Sequence, residues 1–378
     1  MVRRAFWERQ IERLWRQRSI LWLAGVRRVG KTTVCKSLRG VIYLDCERPT
    51  VRRQLEDPEA FLEEHRHKRI VLDEIHRLEH PSELLKLAAD HYSEVKIIAT
   101  GSSTLGASRK FRDTLAGRKR TLWLSPMILE DLEDFGKKEL RHRLIRGGLP
   151  PFFLAKDYPE KDFQEWFDGY WAKDLQELFR LERRSSFQKL MELLFAQSGG
   201  LFEAASFAAP CSISRPTVQA YLSVLEETFL VHVLRPFHSG KTREIVAAPK
   251  VYGFDTGFVA YHRGVERLRE SDLGGLWEHL VLNELLAHTQ KREIQFWRDK
   301  GQHEVDFIIA RTPKLPIAIE TKWKAEAFDP SSLLAFRRLY PDGKNFVVAQ
   351  NIDRAYQRKF GNVVARFVNL KQLIKELL

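Results

Sequence analysis

The run Gly25-Val-Arg-Arg-Val-Gly30-Lys31-Thr32 follows the apolar stretch Ile20-Leu21-Trp22-Leu23-Ala24. A strand that ends in a glycine-rich turn of this spacing can cradle phosphate oxygens with backbone N–H groups. Lysine then reaches the β- and γ-phosphates, and the following hydroxyl sits on Mg2+. The pattern assigns Gly25, Arg27, Gly30, Lys31, Thr32 and Thr33 to nucleotide binding, with Thr32 beside the metal. Glycine at 25 and 30 avoids a Cβ where backbone must wrap the anion. A second run, Arg69-Ile-Val-Leu-Asp73-Glu74, reads as a buried strand ending in two carboxylates. After such a loop, the aspartate holds Mg2+ through water and the glutamate polarises the water that attacks the γ-phosphate. The two runs together predict ATP and Mg2+ as ligands, Asp73 at the metal and Glu74 as the catalytic base.

The last third of the chain holds a second arrangement able to do chemistry. A helix opening at Gly275-Leu-Trp-Glu278 leads to a strand at 294–297, a turn at Asp299-Lys-Gly301, a strand at 304–309 containing Asp306, and a strand from 317 ending in Glu320-Thr-Lys322. Two acids on adjacent strands, with a glutamate from the preceding helix, can hold Mg2+ beside a scissile phosphate, and Lys322 can orient or deprotonate the attacking water. Alternation along a strand puts Glu320 and Lys322 on one face. Glu278, Asp306, Glu320 and Lys322 are therefore candidate catalytic residues, with Asp306 and Glu320 at the metal.

These residues need a scaffold. Strands at 41–44, 69–73, 95–100 and 119–124, alternating with helical stretches, imply a parallel sheet covered by helices. The fourth strand closes on Gly101-Ser102-Ser103 at the carboxyl edge, where Thr100 or Ser102 could sense the γ-phosphate or simply make a turn. Just before the fifth strand, Leu115-Ala-Gly-Arg118 places an arginine able to act as a finger on a neighbouring subunit's nucleotide. Residues 125–187 turn helical and aromatic around a hinge-like Gly147-Gly-Leu-Pro-Pro151. There Trp166, Phe167, Tyr170 and Trp171, continued by Leu175, Leu178 and Leu181, fall on helical spacing and predict an aromatic core in a helical lid rather than a base-stacking platform. Residues 188–236 have the rhythm of a winged helix: helices at 190–196 and 201–208, a helix capped by Ser214, and a wing strand at 229–234. Arg215, Thr217 and Gln219 would face DNA. That helix carries a single cation and ends in Glu226-Glu227, so an internal structural role is equally open.

The 378 residues suffice for two or three domains, and the formal net charge is +13. Residues 1–53 contribute 14 Lys/Arg against 4 Asp/Glu, so +10 of that charge lies in the first seventh of the chain. Arg3, Arg4, Arg9, Arg13, Arg16 and Arg18 exceed what one nucleotide uses and read as a footprint for nucleic acid. Phe6, Ile11, Leu14 and Trp15 make residues 3–18 an amphipathic helix that packs on the core, arginines outward, or lies on an anionic membrane. Cys35, Cys46 and Cys211 fall at no metal-ligand spacing and cannot all pair. With no apolar run of spanning length, a reducing cytoplasm is the expected location.

With these motifs in order, the chain resembles a large prokaryotic family that joins an AAA-type P-loop ATPase domain to a C-terminal DUF4143-type domain with a PD-(D/E)xK nuclease-like core. The resemblance rests on Gly25–Thr33, Leu72-Asp73-Glu74, Thr100–Ser103, Leu115–Arg118, Gly147–Pro150, Thr217–Leu230, Gly275–Glu284, Val305-Asp306-Phe307 and Glu320-Thr-Lys322. It implies an α/β multidomain protein: an AAA-type ATPase domain at 1–135, a helical lid at 136–187, a winged helix at 188–245 and a restriction-endonuclease-like domain at 246–378. It also implies ATP and Mg2+ at Lys31, Thr32, Asp73 and Glu74, Arg118 acting in trans within a homo-oligomer, and nuclease positions at Glu278, Asp306, Glu320 and Lys322. Glu284 is the alternative to Glu278 as the helix acid. The expected activity is ATP-driven remodelling of or translocation on DNA, with branched DNA among the candidate substrates; the alternatives are a nucleotide switch with a protein partner and a DNA-tethering scaffold.

Overall fold

The computed structural model describes residues 2–101, 114–136, 139–172, 183–238, 248–310, 312 and 314–378. Ser102, Ser103, Leu175, Leu178 and Leu181 lie outside them. Two compact units result. One comprises Met1–Glu139, Gly148–Arg184 and Glu227–Leu230; the other comprises Leu140–Gly147, Ser185–Glu226 and Val231–Leu378. The segment read as a lid is thus shared between them.

In the first unit the apolar runs become strands β1 (Ile20–Ala24), β2 (Ile42–Asp45), β3 (Arg69–Asp73), β4 (Lys96–Thr100) and β5 (Lys119–Trp123). They form one sheet in the order β2-β3-β4-β1-β5, and every pairing is parallel. All five residues of β1 are buried, as a parallel sheet covered on both faces requires. Because β4 lies between β1 and β3, the carboxyl ends of these three strands bring Gly25, Asp73 and Thr100 to one edge.

The amino-terminal helix α1 spans Ala5–Trp15, shorter than the expected 3–18, and buries Phe6, Trp7, Ile11 and Trp15, while Leu14 is only half-buried. Arg9, Arg13, Arg16 and Arg18 face outward as expected, but Arg4 does not: it is 2% exposed. Helix α2 (Lys31–Ser37) leaves the glycine loop directly. Helix α3 (Glu160–Tyr170) buries Phe163, Trp166, Phe167 and Tyr170. Trp166 stacks on Tyr170 with ring centroids 5.5 Å apart, so these aromatics are core and not an open base-stacking surface.

The second unit opens with helices α4 (Arg184–Ala196), α5 (Ala204–Ala208) and α6 (Arg215–Glu227). Strands β6 (Gly200–Leu201), β7 (Val231–Leu234) and β8 (Lys250–Gly253) make a small antiparallel sheet in the order β6-β8-β7. The helix expected from 201 starts later because Leu201 pairs with Lys250 instead. Ser214 caps α6 as expected, its Oγ accepting from Thr217 N at 3.3 Å. Helix α7 (Glu270–Thr289) runs for 20 residues; its first turns are partly exposed, and from Leu276 to His288 it is buried apart from half-buried Glu278, apolar nearly all round as a helix inside a domain must be.

Strands β9 (Gln295–Arg298), β10 (Glu304–Ile309), β11 (Ile317–Lys322), β12 (Asn345–Ala349), β13 (Tyr356–Phe360) and β14 (Val363–Val368) form a mixed sheet ordered β13-β14-β12-β11-β10-β9. The acid-bearing β10 and β11 are antiparallel, with Phe307 opposite Ile319, so the register continues to place Asp306 opposite Glu320. Trp277 of α7 donates to Val348 O at 3.1 Å, seating the helix on this sheet.

Ser198 Oγ joins α7 to β8: it accepts from Gly253 N at 2.7 Å and meets His279 Nε2 at 2.8 Å. Among the described residues no helix is long and apolar enough to cross a membrane.

Burial pushes the His279 imidazole down to about 3. A depressed histidine contributes its stability above the unfolded value of about 6.5, and loses it as pH falls toward the folded value, because only the unfolded chain takes up the proton. At pH 5 the loss is roughly 2 kcal/mol. Melting between pH 8 and pH 4 is expected to show a steeper acid decline in the wild-type chain than in His279→Gln; equal slopes would refute it.

Candidate functional sites

The phosphate loop is built around two backbone constraints. Gly30 has φ +102° at the start of α2, a conformation side chains rarely adopt, and a Cβ on Gly25 would lie 2.7 Å from Leu124 O. Gly25 is therefore needed against its own sheet as well as against any anion. Lys31 Nζ donates to Gly25 O at 2.8 Å and Val26 O at 3.3 Å, which lays the ammonium across the loop. Thr33 is exposed.

Asp73, 3% exposed, ends β3 with three hydroxyls on its carboxylate. Thr32 Oγ1 donates to Oδ2 at 2.8 Å and Tyr43 OH at 2.5 Å, while Thr100 Oγ1 donates to Oδ1. A threonine hydroxyl and a carboxylate within 3 Å, beside a phosphate loop, are the hard-oxygen donors that Mg2+ takes. Thr100 Oγ1 also accepts from Glu74 N at 3.2 Å, so this hydroxyl is spent on positioning the two acids rather than held out as a phosphate sensor.

Glu74 has φ +53°, a turn that directs it away from the strand, and its Oε2 lies 3.2 Å from His76 Nδ1. Burial pushes its carboxyl up, but the His76 hydrogen bond and the Lys31 charge outweigh that and hold it below the ordinary value. An ionised glutamate at this place can accept a proton from water. Arg118 is engaged elsewhere: Nε and Nη2 donate to Asp90 Oδ1 and Oδ2 at 2.7 and 3.1 Å.

Two clamps on the loop were not anticipated. Arg4 Nη1 donates to Val29 O at 2.9 Å, its Nε and Nη2 grip Asp131 at 3.0 and 2.5 Å, and Nη2 also reaches Ser125 O at 3.2 Å. Trp7 Nε1 donates to Asp131 Oδ2 at 3.3 Å. From the other side, Trp166 Nε1 donates to Arg27 O at 3.0 Å, and the Arg27 guanidinium lies against Gly169. The one available signal was the buried tryptophan, whose N–H must find an acceptor.

In the second unit, Glu278, Asp306, Thr321 and Lys322 line a pocket of about 450 Å³. Asp306 Oδ2 accepts from Thr321 N and Oγ1 at 2.7 and 2.8 Å, and Lys322 Nζ donates to Glu320 Oε2 at 3.1 Å. Glu320 Oε1 is buried and has no partner. Burial, then the neighbouring Asp306 charge, push the Glu320 carboxyl up to about 8. Like charges opposed across two strands are unfavourable without a cation between them, so the donor set fits a divalent ion. Burial also pushes Glu278 up to about 7.

Burial works against the Lys322 ammonium, but Asp306 and Glu320 outweigh it and raise its pKa. A lysine held protonated can orient water or phosphate and cannot serve as the base. Glu284, the alternative helix acid, is 2% exposed and lies 3.3 Å from His288 on its own helix, outside this pocket. Sequence reading missed Lys250 and Tyr252 of β8. Tyr252 OH donates to Glu278 Oε1 at 2.5 Å, and Lys250 Nζ pairs with Glu304 and sits 3.7 Å from the same Glu278 oxygen.

Breaking the Arg4 clamp from one side leaves a buried, unpaired charge, which costs about 3–5 kcal/mol. Asp131→Asn is expected to lower the melting temperature and, because Val29 O loses its tether, to raise the KM for ATP more than it lowers kcat. An unchanged KM in a folded variant would show the clamp to be purely structural.

Residues 17–133 match the family described as an AAA domain, residues 137–269 a domain of unknown function (DUF8612), and residues 273–370 a domain of unknown function (DUF4143). The uncharacterized proteins Rv2008c of Mycobacterium tuberculosis and Mb2031c of Mycobacterium bovis are each 28% identical over 316 residues, covering 80% of this chain and 70% of theirs. Among solved structures, the Walker-type ATPase PABY2304 of Pyrococcus abyssi is similar at 16% identity and a TM-score of 0.44, over 70% of this chain and 96% of that one. The AAA match spans both the glycine loop and the Asp73-Glu74 pair, so residues 17–133 are an AAA-type P-loop ATPase domain, and the same chain carries a C-terminal DUF4143 domain.

Proposed function

We propose that this ATPase is Mg2+-dependent and acts on DNA, and that its C-terminal domain is nuclease-like and binds or cuts the same substrate. The observation that carries the reading is the Asp306, Glu320 and Lys322 group with the orphaned Glu320 Oε1, present in one chain with a hydrolysis-ready phosphate loop. Mg2+ would be held by Thr32 and Asp73 in the first unit and by Asp306 and Glu320 in the second, supplying Lewis-acid stabilisation of phosphoryl charge at each. Lys31 and the loop bind the nucleotide phosphates, and Glu74 takes the proton from the attacking water. Lys322 donates to the phosphodiester or its water, and Glu278 lines the pocket's other side.

Further support comes from charge and topology. Arg9, Arg13, Arg16 and Arg39 line a hollow of about 570 Å³ on the outer face of α1, a footprint suited to a phosphate backbone, while Arg3 and Arg69 on its wall are paired with Glu8 and Glu12. The order α4-β6-α5-α6-β7-β8 supports a winged-helix reading of this segment, and α6 begins with Arg215 and Gln219 exposed. Arg118 serves as a trans finger in a homo-oligomer when a neighbour's nucleotide draws it from Asp90, a solvent-screened ion pair. The acidic end of α6, where Glu226 takes up Arg235, favours one other reading: a nucleotide switch whose C-terminal domain binds a protein partner.

ATP hydrolysis measured at low salt with single-stranded, duplex and four-way-junction DNA, against Lys31→Ala as the blank, separates the two. Stimulation by at least one DNA form is expected; a flat response to all three favours the switch. Asp306→Ala is expected to abolish Mg2+-dependent cleavage and leave ATPase turnover intact. Equal cleavage by wild type and Asp306→Ala would refute the nuclease assignment.

A further inference from the structure

Glu278, Asp306 and Glu320 look like three equivalent acids, but their surroundings differ. Glu278 Oε1 already accepts from Tyr252 OH and lies 3.7 Å from Lys250 Nζ. Glu304 pairs with Lys250 and with Arg298, whose Nη1 is 3.4 Å away. Lys250 is 5% exposed; it and Tyr252, two residues apart on β8, reach Glu278 together. Asp306 and Glu320 stand opposite one another on β10 and β11; Lys322 Nζ donates to Glu320 Oε2, and Glu320 Oε1 is buried with no hydrogen-bond partner. Among the described residues no three Asp, Glu, His or Cys side chains converge as a metal cage.

We propose that the pocket takes a single divalent cation between Asp306 and Glu320, and that Lys250 is a built-in cation closing the Glu278 flank to a second. This rests on the nuclease-like reading of the pocket. Charge supports the number. Two carboxylates against one ammonium leave a single negative charge, and one divalent ion with one phosphodiester brings the total to zero. A second divalent ion at Glu278 would face the Lys250 ammonium across the same carboxylate oxygen, at a depth where water screens little. Glu278 then acts as a fixed carboxylate on the pocket wall, and Lys250 and Tyr252 are its positioning residues.

The test is Mn2+ titration of the full chain, followed by loss of the free-ion electron paramagnetic resonance signal. It is done without nucleotide and on an Asp73→Asn background that silences the phosphate-loop site. One Mn2+ per chain is expected. Adding Asp306→Asn should weaken it by more than about 10-fold, since even groups that only orient a ligand are worth about that much. Adding Glu278→Gln should weaken it by less than that, and adding Lys250→Met should admit a second ion. Two ions on the background chain, loss of the ion in Glu278→Gln as complete as in Asp306→Asn, or a single ion in a folded Lys250→Met would each overturn the proposal. If Lys250→Met does not fold, as read by circular dichroism, the Glu278→Gln arm still decides. No Mn2+ bound by the background chain would instead remove the nuclease-like reading itself.

Discussion

One buried carboxylate organises the ATPase unit. Asp73 receives hydroxyls from Thr32 on α2, Tyr43 on β2 and Thr100 on β4, so a single side chain ties the phosphate-loop helix to three neighbouring strands. Removing such a group from water is tolerable only if each oxygen is satisfied, and here the partners are three neutral hydroxyls rather than a cation. That choice satisfies the carboxylate oxygens beside the glycine loop with neutral donors. Thr100 extends the same network to the Glu74 backbone, which adopts a left-handed turn; Asp73 and Glu74 are therefore positioned by one structural device.

The loop itself is held from both sides. Arg4 reaches it through Val29 and Trp166 through Arg27, and each uses a main-chain carbonyl so that the N–H groups stay available to an anion. Arg4 is a cation from an arginine-rich segment with a different task from its neighbours. Its charge is consumed by buried Asp131, while Arg9, Arg13, Arg16 and Arg18 remain in solvent. Net charge in such a segment thus overstates what is free to meet a partner.

The second unit solves the opposite electrostatic problem. It gathers Glu278, Glu304, Asp306 and Glu320 into one region and neutralises them unequally. Lys250 comes from the small three-stranded sheet and Lys322 from the large one, and Ser198 joins the first sheet to α7 through Gly253 and His279. The arrangement of α7 against β8 therefore decides that Glu278 meets Lys250 and Tyr252.

Spacing along the chain determined the phosphate loop, the Asp73-Glu74 pair, the parallel sheet and the Glu320-Thr-Lys322 strand, because each is a local pattern whose side chains are placed by one turn or one strand. The shared strand face of Glu320 and Lys322 follows from period two alone. What acts across distant segments was decided only in three dimensions. Arg4 finds Asp131 across 127 positions, and Lys250 finds Glu304 across 54. Glu278 was separated from Glu284 by which side of α7 packs on the sheet, since six residues turn a helix by about 240°. A helix apolar nearly all round, as α7 is from Leu276 to His288, carries no amphipathic signal to say which acid faces the pocket, and an arginine in a basic run carries none to say that it turns inward.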